Sequence, residues 1–376
     1  MRGDLREVVR GFYVAPGGRS FFERHQTLDP GQFRWRVIAD VTLGCNLNCA
    51  MCFKTERSRV AWADPEVWQA IVQQVLPHAA EIAFGCRHEA LLHPGFSSWL
   101  AVLDRARRQT RATTSFALVT SGTLLSRELM EEFAEGGLDY LLLSIPTTNT
   151  AAYAALRAPA QWDDLQTTLA NALEGSREER PRVVAQTLLM RATLPHLQET
   201  LLELATLGVR RIHVPQMVTA PESFREQVLP HAGPTALELD QAMDALERVG
   251  AEHGVEVERP RVAPDALPTE IFPLLGDGDI WDEHLLGQSR SVVCAAPWVK
   301  LRVDHLGNAF PCPFWTAQEL AWGNFTRDSF EAVVNGEAAV HTRSQLRAGR
   351  APNAVCAACP YGPEAGNRAQ ASNTAW

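Results

Sequence analysis

Residues 35–53 read WRVIADVTLGCNLNCAMCF and combine a strand-like run with three closely spaced cysteines. The first part of this stretch, WRVIADVT (35–42), is rich in β-branched side chains and alternates apolar with polar residues, which predicts a strand. The rest places Cys45, Cys49 and Cys52 (the trio) in the spacing CxxxCxxC on the loop after that strand. Three thiolates from one short loop can hold three irons of a cubane cluster and leave the fourth iron open to a ligand.

A second group of cysteines lies near the C-terminus: Cys294, Cys312, Cys356 and Cys359 (the quartet). Four thiolates can saturate a [4Fe–4S] cluster, which suits electron transfer or structural support. The segment 294–312 reads as two short strands about a turn, with Gly307 supplying a positive φ. The alternatives are zinc: a ribbon built on the final CxxC, and a zinc site or three structural thiols at the trio.

Composition excludes several classes of protein. The 376 residues are 46% hydrophobic and 21% charged, which argues against collagen-like, disordered and coiled-coil chains. The formal charge is −9 and no run of like charges stands out, so neither nucleic acid nor a membrane surface is an expected partner. The sequence shows no secretory signal and no membrane-length apolar run. We therefore expect a cytoplasmic protein whose cysteines serve metal binding or catalysis.

Between the trio and the quartet, strand-like runs alternate with amphipathic stretches, which is typical of a β/α architecture. The predicted strands are 35–42, 81–85, 115–120, 140–145, 183–190 and 211–217. Helical periodicity appears at 65–79, 126–137, 197–208 and 234–254. Six strands are enough for a partial barrel, and in such barrels chemistry lies at the C-terminal ends of the strands.

With these residues in these positions, the chain resembles the radical S-adenosylmethionine (SAM) superfamily. Its quartet resembles the twitch domain, the short form of the SPASM domain. The resemblance implies an α/β fold, a partial (βα)6 TIM-like barrel with a small C-terminal α+β domain. The expected domains are an N-terminal extension (1–34), the barrel (35–217), a helical linker (218–293) and the auxiliary-cluster domain (294–376). Because no cysteine follows Cys359, one auxiliary cluster is expected.

The resemblance also implies cofactors and their contacts. The trio would hold a [4Fe–4S] cluster whose open iron binds the amino and carboxylate groups of SAM, and the quartet would hold an auxiliary [4Fe–4S] cluster. Where the family usually has GGEP after the second strand, this chain has residues 86–90, and only Glu89 matches in type. The remaining matches to SAM-binding positions are Met51, Phe53, Ser121, Ser144 and Arg157. A surface glutamate and a solvated helical arginine are the alternatives for Glu89 and Arg157.

Three residues of the altered segment are candidates for catalysis. Cys86 has no cluster role left to it, so its thiol is a candidate hydrogen-atom donor to a substrate radical; alternatively it is a small buried residue in a glycine slot. Arg87 and His88 are candidates to act on a substrate proton, although a histidine here can also simply cap a loop.

The leading functional expectation is oxidation of a carbinol C–H bond in a small carbohydrate-like or aminocyclitol substrate, with the auxiliary cluster as electron acceptor. It follows from the resemblance of the quartet to twitch enzymes that oxidise aminocyclitol alcohols. The alternatives are epimerisation with Cys86 as hydrogen donor, modification of a ribosomally made peptide, and a non-catalytic zinc-binding barrel. The family implies flavodoxin or ferredoxin as the reductant.

Overall fold

One sheet of ten strands runs through the part of the chain that the structure describes. The computed structural model describes residues 27–28, 34–52, 59–176, 180–215, 217, 221–229, 234–258, 294 and 296–359. Its strands are β1 (Trp35–Ala39), β2 (Thr42–Leu43), β3 (Ala61–Trp62), β4 (Ala79–Phe84), β5 (Ser115–Thr120), β6 (Tyr140–Ser144), β7 (Arg182–Gln186), β8 (Arg211–His213), β9 (Glu256–Glu258), β10 (Lys300–Val303), β11 (Asn308–Phe310) and β12 (Gly323–Asn324). The sheet has the order β12–β11–β10–β1–β4–β5–β6–β7–β8–β9, and β2 pairs with β3 separately.

The central strands are all parallel, as a barrel of β/α units requires. Strands β1, β4, β5, β6, β7, β8 and β9 pair in parallel in that order. The predicted partial barrel is therefore confirmed, and the six predicted strands correspond to β1, β4, β5, β6, β7 and β8. The predicted strand 183–190 is regular only as far as Gln186; beyond it, separate hydrogen bonds from the Thr187 and Leu189 N–H groups to the His213 and Pro215 carbonyls continue the pairing.

Helices follow most of the barrel strands. They are α1 (Pro65–Ala70), α2 (Phe96–Thr110), α3 (Arg127–Glu135), α4 (Thr150–Arg157), α5 (Trp162–Gly175), α6 (Leu197–Thr206), α7 (Pro234–Glu252), α8 (Ala296–Val299), α9 (Phe330–Asn335), α10 (Glu337–Arg347) and α11 (Ala354–Ala358). The predicted helix 65–79 is α1 continued by a π-helical turn and a 3-10 turn. Helix α3 begins where predicted, because the Ser126 hydroxyl accepts from the Leu129 N–H and caps it. No described helix is both long and apolar enough to cross a bilayer.

Two sets of apolar residues hold the barrel together. The inward faces of five neighbouring strands meet in a small cluster of Ile38, Ala83, Ala117, Leu142 and Val184. Two of these five are alanines, so the side chains facing the barrel axis stay short. The outward faces pack against the helices in a much larger core that continues into the C-terminal segment through Trp298, Phe310 and Phe330.

The sheet extends past the expected domain limits on both edges. Strand β9, preceded by helix α7, adds a parallel strand beside β8, so part of the predicted linker 218–293 continues the barrel. At the other edge, β10 pairs in parallel with β1, and β10 and β11 form the predicted hairpin, with Gly307 at φ +83°. The C-terminal α+β segment is thus hydrogen-bonded to the barrel's first strand. The N-terminal residues 1–26 and 29–33 lie outside the described residues.

Candidate active site

A cavity of about 280 Å³ opens at the C-terminal ends of the barrel strands, where the parallel arrangement brings the strand-end loops together. The trio lines it from the loop after β2. This loop is fixed to the end of α4, because the Asn48 and Ala50 N–H groups donate to the Ala158 and Leu156 carbonyls at 2.8 and 3.0 Å. The sequence therefore brings three thiols to the lining of one cavity.

The three thiols of the trio line the same cavity. Cys45, Cys49 and Cys52 form no disulfide. Three thiolates from one loop can hold three irons of a cubane cluster and leave the fourth iron open to a ligand. The Leu47 N–H also donates to Cys45 Sγ at 3.4 Å, as expected beside a thiolate ligand.

Gly85 explains how the segment after β4 reaches the cavity. It has φ +81°, and a Cβ at this position would lie 2.2 Å from the Val119 carbonyl oxygen. Only glycine fits there, so β4 approaches β5 closely at its end and the chain turns across the top of the barrel. The turn carries Cys86, Arg87, His88 and Glu89 onto the cavity wall.

Glu89 is occupied by protein donors. One carboxylate oxygen accepts from the Thr120 hydroxyl and the Leu91 N–H, at 2.9 and 3.2 Å. The other accepts from both the N–H and the hydroxyl of Ser121, at 2.9 Å each. A carboxylate has about four acceptor positions, so an ammonium group can bind Glu89 only by displacing one of these donors. The structure thus gives Glu89 a bracing role that the sequence did not indicate.

Cys86 and His88 both line the cavity in their neutral forms. Burial, together with the nearby Asp40, raises the pKa of the Cys86 thiol to about 12, so the sulfur keeps its hydrogen at neutral pH. Burial lowers the pKa of His88 to about 4, so its imidazole is uncharged. Its Nδ1 atom is buried without a hydrogen-bond partner in the described structure.

Arg157 lies at the end of α4 with 7% of its surface exposed. Its Nε and Nη2 atoms are buried and make no hydrogen bond to a described protein group. Burial lowers its pKa, but the charges of Cys49, Tyr153 and Cys45 outweigh that effect and raise it, so the guanidinium stays charged. A buried cation that lines the cavity with unsatisfied donors fits an anionic ligand group, such as the carboxylate of SAM.

The remaining predicted SAM contacts are mostly on the same wall. Met51, Ser121 and Ser144 line the cavity, although the Ser121 hydroxyl is already bonded to Glu89 and Thr123. Phe53 lies outside the described residues.

Among the cavity residues that sequence reasoning missed, three bear on the chemistry of the site. Gln186, at the end of β7, lines the cavity and approaches His213 Nδ1 at 3.4 Å. The signal that could have identified Gln186 is a polar residue directly after the apolar run Val183–Ala185 of β7. Pro313 and Phe314 also line the cavity. These two residues belong to the C-terminal domain and are far from the barrel in sequence. Their place in the cavity depends on how the two parts pack together, which the sequence pattern does not indicate.

The quartet forms a second site nearby. All four thiols line one small cavity together with apolar residues such as Pro297, Pro311 and Leu346. Burial raises the pKa of Cys356 to about 12 and also raises the pKa of Cys294 and Cys312, so these thiols need a bound metal to persist as thiolates. Phe314 lines this cavity as well as the first one.

Comparison with known families agrees with both sites. The model of the radical SAM superfamily matches residues 40–204, and the model of the SPASM iron–sulfur cluster-binding domain matches residues 294–360. The first domain implies a [4Fe–4S] cluster and SAM, and the second implies auxiliary iron–sulfur binding. The trio falls in the first match and the quartet in the second.

Individual proteins resemble this chain either over a short stretch of sequence or over most of the fold at low sequence identity. The chain is 30% identical over 123 residues to a tungsten-containing aldehyde ferredoxin oxidoreductase cofactor-modifying protein of Pyrococcus furiosus, covering 31% of this chain and 32% of that protein. It is 31% identical over 121 residues to an AdoMet-dependent heme synthase of Methanosarcina barkeri, covering 31% and 33%. It therefore spans about a third of the length of these relatives.

Among solved structures, Streptococcus suis SuiB bound to SAM has the same fold. The TM-score is 0.64 at 13% identity, covering 92% of this chain and 74% of SuiB. SuiB is also known bound to its precursor peptide SuiA. The two family matches identify the chain as one that carries a radical SAM domain followed by a C-terminal SPASM iron–sulfur domain, and the fold agrees with this assignment.

Proposed function

We propose that the protein oxidises a carbinol of a small carbohydrate-like or aminocyclitol substrate to a ketone. The observation that carries the proposal is the position of Phe314, which lines both the barrel cavity and the quartet cavity. A substrate in the barrel cavity is therefore separated from the auxiliary site by the segment 313–315. This proximity supports the auxiliary site as an acceptor for an electron from the substrate.

The reaction balances with groups that the protein offers. The trio would hold a cluster that binds SAM and would supply a hydrogen-abstracting radical, and the quartet would hold a cluster that would serve as a one-electron acceptor. Conversion of a carbinol to a ketone removes two electrons and two protons. One electron and one proton leave as the abstracted hydrogen atom, the second electron goes to the acceptor, and the hydroxyl proton goes to a base. We propose a flavodoxin or ferredoxin as the source of the electron consumed in SAM cleavage.

The cavity suits a small polar substrate. The cavity volume of about 280 Å³ lies near the low end for ligand sites, and the substrate would share this space with SAM. Gln186 and Ser144 offer hydrogen bonds to hydroxyl groups. His88 lines the cavity and is neutral, so it is our candidate for the base that takes the hydroxyl proton.

The test uses a panel of aminocyclitols and hexoses deuterated at the carbinol carbons. The anaerobically reconstituted enzyme, with SAM and a reductant, should convert one of them to a ketone and release one deuterated 5′-deoxyadenosine per ketone. His88→Gln should lower kcat while still binding SAM. Formation of 5′-deoxyadenosine only with added peptide, or of a product without net oxidation, would contradict the proposal.

Epimerisation is a second candidate, supported by the protonated Cys86 thiol on the cavity wall. A carbon radical that takes the Cys86 hydrogen atom on its opposite face is inverted. The sulfur radical left behind then needs one electron and one proton from the reductant and solvent. In D2O the exchangeable thiol carries deuterium, so the inverted carbon of the product should become deuterated. Cys86→Ala should abolish inversion; an epimerase unaffected by this change would exclude Cys86 as the donor.

A further inference from the structure

Segment 313–315 lies between the two cavities of the protein. Pro313 and Phe314 line the barrel cavity, and Phe314 and Trp315 line the cavity of the quartet. Pro313 and Trp315 are buried and Phe314 is half-buried. A small molecule that moves from the barrel cavity towards the quartet therefore meets this segment first.

Two buried arginines hold the backbone of this segment. Arg87 Nη1 donates to the Pro313 carbonyl at 2.6 Å, across 226 residues of sequence. Arg302 Nη1 donates to the Trp315 carbonyl at 3.1 Å. Hydrogen bonds from charged donors are stronger than those from neutral ones. The carbonyls on both sides of Phe314 are thus fixed by charged groups.

One carboxylate contacts both arginines. Asp40 follows β1, and its Oδ2 atom accepts from Arg302 Nε at 2.7 Å. Its Oδ1 atom accepts from the Arg87 backbone N–H at 3.3 Å. The Asp40 and Arg302 side chains are 1% and 6% exposed. A buried ion pair is weak evidence for stability by itself, so its consequence here is geometric: it connects the first barrel strand to both donors.

The guanidinium of Arg87 is well suited to this contact. An arginine is not deprotonated in proteins, so it is a permanent donor to a carbonyl, whereas proton transfer needs a group that can lose its proton. Arg87 also lines the barrel cavity itself. Its side chain therefore extends from the segment after β4 to the C-terminal domain along the cavity wall.

We propose that Arg87 is a positioning residue that keeps segment 313–315 closed between the barrel cavity and the auxiliary cluster. Arg302 holds the other end of the segment, and Asp40 orients both arginines. The closed segment shields the quartet's cluster from small molecules that enter the barrel. Without the Arg87 donor, the Pro313 carbonyl loses its charged partner and the segment opens more often. The inference rests on the auxiliary cluster but is independent of the substrate and the reaction.

The test is the rate at which a chelator removes iron from the auxiliary cluster. Cys45, Cys49 and Cys52 are first replaced together by Ala, so that the quartet's cluster is the one observed. The anaerobically reconstituted chain is mixed with excess EDTA, and the loss of cluster absorbance is followed. In this background Arg87→Met should speed the loss by about 10-fold or more, because the loss of one charged hydrogen bond raises the open population by that factor. Arg87→Lys keeps a cationic donor and should restore most of the slow rate.

Arg34→Met is the matched control. Arg34 also donates to backbone carbonyls, those of Pro77 and Ala79, but it lines neither cavity. Its replacement should leave the rate of iron loss unchanged. Equal rates in Arg87→Met and Arg34→Met would overturn the proposal, as would an Arg87→Lys variant as fast as Arg87→Met. A background protein that holds no iron after reconstitution would also overturn it, and substrate oxidation enters none of these measurements.

Hydrogen exchange measured by mass spectrometry separates local opening from destabilisation of the whole domain. The Trp315 N–H donates to the Cys312 carbonyl at 3.2 Å, so its exchange reports on the segment. This exchange should be faster in Arg87→Met, while the amides of α10 (Glu337–Arg347) keep the rates of the background protein. Equal acceleration at Trp315 and in α10 would mean that Arg87 supports the domain as a whole, and would overturn its role at the segment.

Discussion

Glu89 accepts hydrogen bonds from both the backbone N–H and the hydroxyl of Ser121, each at 2.9 Å. The Thr120 hydroxyl and the Leu91 N–H occupy its other oxygen. One carboxylate thereby joins the loop after β4 to the loop after β5, and both loops line the cavity. The shape of this wall depends on a side chain with 2% exposure.

Glu89→Gln should weaken this brace. The amide NH2 group must face one of the two donor pairs, so acceptor positions are replaced by unfavourable donor–donor contacts. We expect the free energy of unfolding to fall by about 2 kcal/mol. SAM affinity should also fall, because the Ser121 loop loses its support. Denaturant unfolding and anaerobic equilibrium binding of SAM measure the two effects.

The matched control for this change is Glu203→Gln. Glu203 accepts from Trp162 Nε1 and Gln166 Nε2 through one oxygen, and it does not line the cavity. The amide can keep that oxygen as an acceptor, so SAM affinity should stay at the wild-type value. An equal loss of SAM affinity in both variants would contradict a local role for Glu89.

Arg157→Met should lower SAM affinity without a comparable loss of stability. The arginine has two buried nitrogen atoms without hydrogen-bond partners in the described structure, so its replacement by an apolar side chain of similar length breaks few protein hydrogen bonds. Loss of a charged bidentate partner for a carboxylate should weaken binding by roughly 10- to 100-fold, equivalent to about 1.5–3 kcal/mol. Equilibrium dialysis of labelled SAM gives the affinity, and thermal unfolding gives the stability. A large fall in stability with unchanged SAM affinity would assign Arg157 a purely structural role.

The sequence predicted those features that depend on local chemistry. Strand β5 was predicted to the residue, because the run 115–120 is apolar on both faces, as a buried parallel strand requires. The trio was predicted from its local CxxxCxxC spacing, whereas the quartet was predicted from a final CxxC and two cysteines further upstream. The hydrogen bond between Arg87 and Pro313 was not predictable, because it depends on how β10 docks against β1. The matching position of Glu89 suggested a ligand contact, but only the structure shows that four protein donors surround it.

The simultaneous change of Cys45, Cys49 and Cys52 to Ala should remove one of two clusters. After anaerobic reconstitution we expect about eight irons per wild-type chain and about four in the variant, because each cubane holds four. Iron and acid-labile sulfide analysis measures this directly. Cys86→Ala is the control, and its iron content should equal that of the wild type. About four irons in the wild type and none in the variant would mean that the quartet holds no cluster, and would remove the electron acceptor from the proposed oxidation.

Glu81 should make the stability of the protein depend on pH. It lies in β4 with 1% exposure, and neither carboxylate oxygen has a hydrogen-bond partner in the described part of the chain. Burial raises its pKa, and Arg36 and Lys300 offset only part of that effect. The folded state therefore favours the neutral acid, whereas the unfolded chain ionises near a pKa of about 4.3. Stability from the neutral form is complete below that value and is lost as the pH rises towards the folded pKa.

Glu81→Gln keeps the shape of the side chain and removes its ionisation. The variant should gain stability over the wild type as the pH rises, with a slope of about 1.4 kcal/mol per pH unit between the unfolded and folded pKa values. Anaerobic denaturant unfolding at several values between about pH 5 and pH 8 measures the difference. Glu66→Gln removes an exposed carboxylate from α1 and serves as the reference for a change in net charge. The free energy of unfolding of Glu81→Gln could instead differ from that of the wild type by the same amount at every pH. Glu81 would then be ionised in the folded protein, with its charge compensated by a nearby cation.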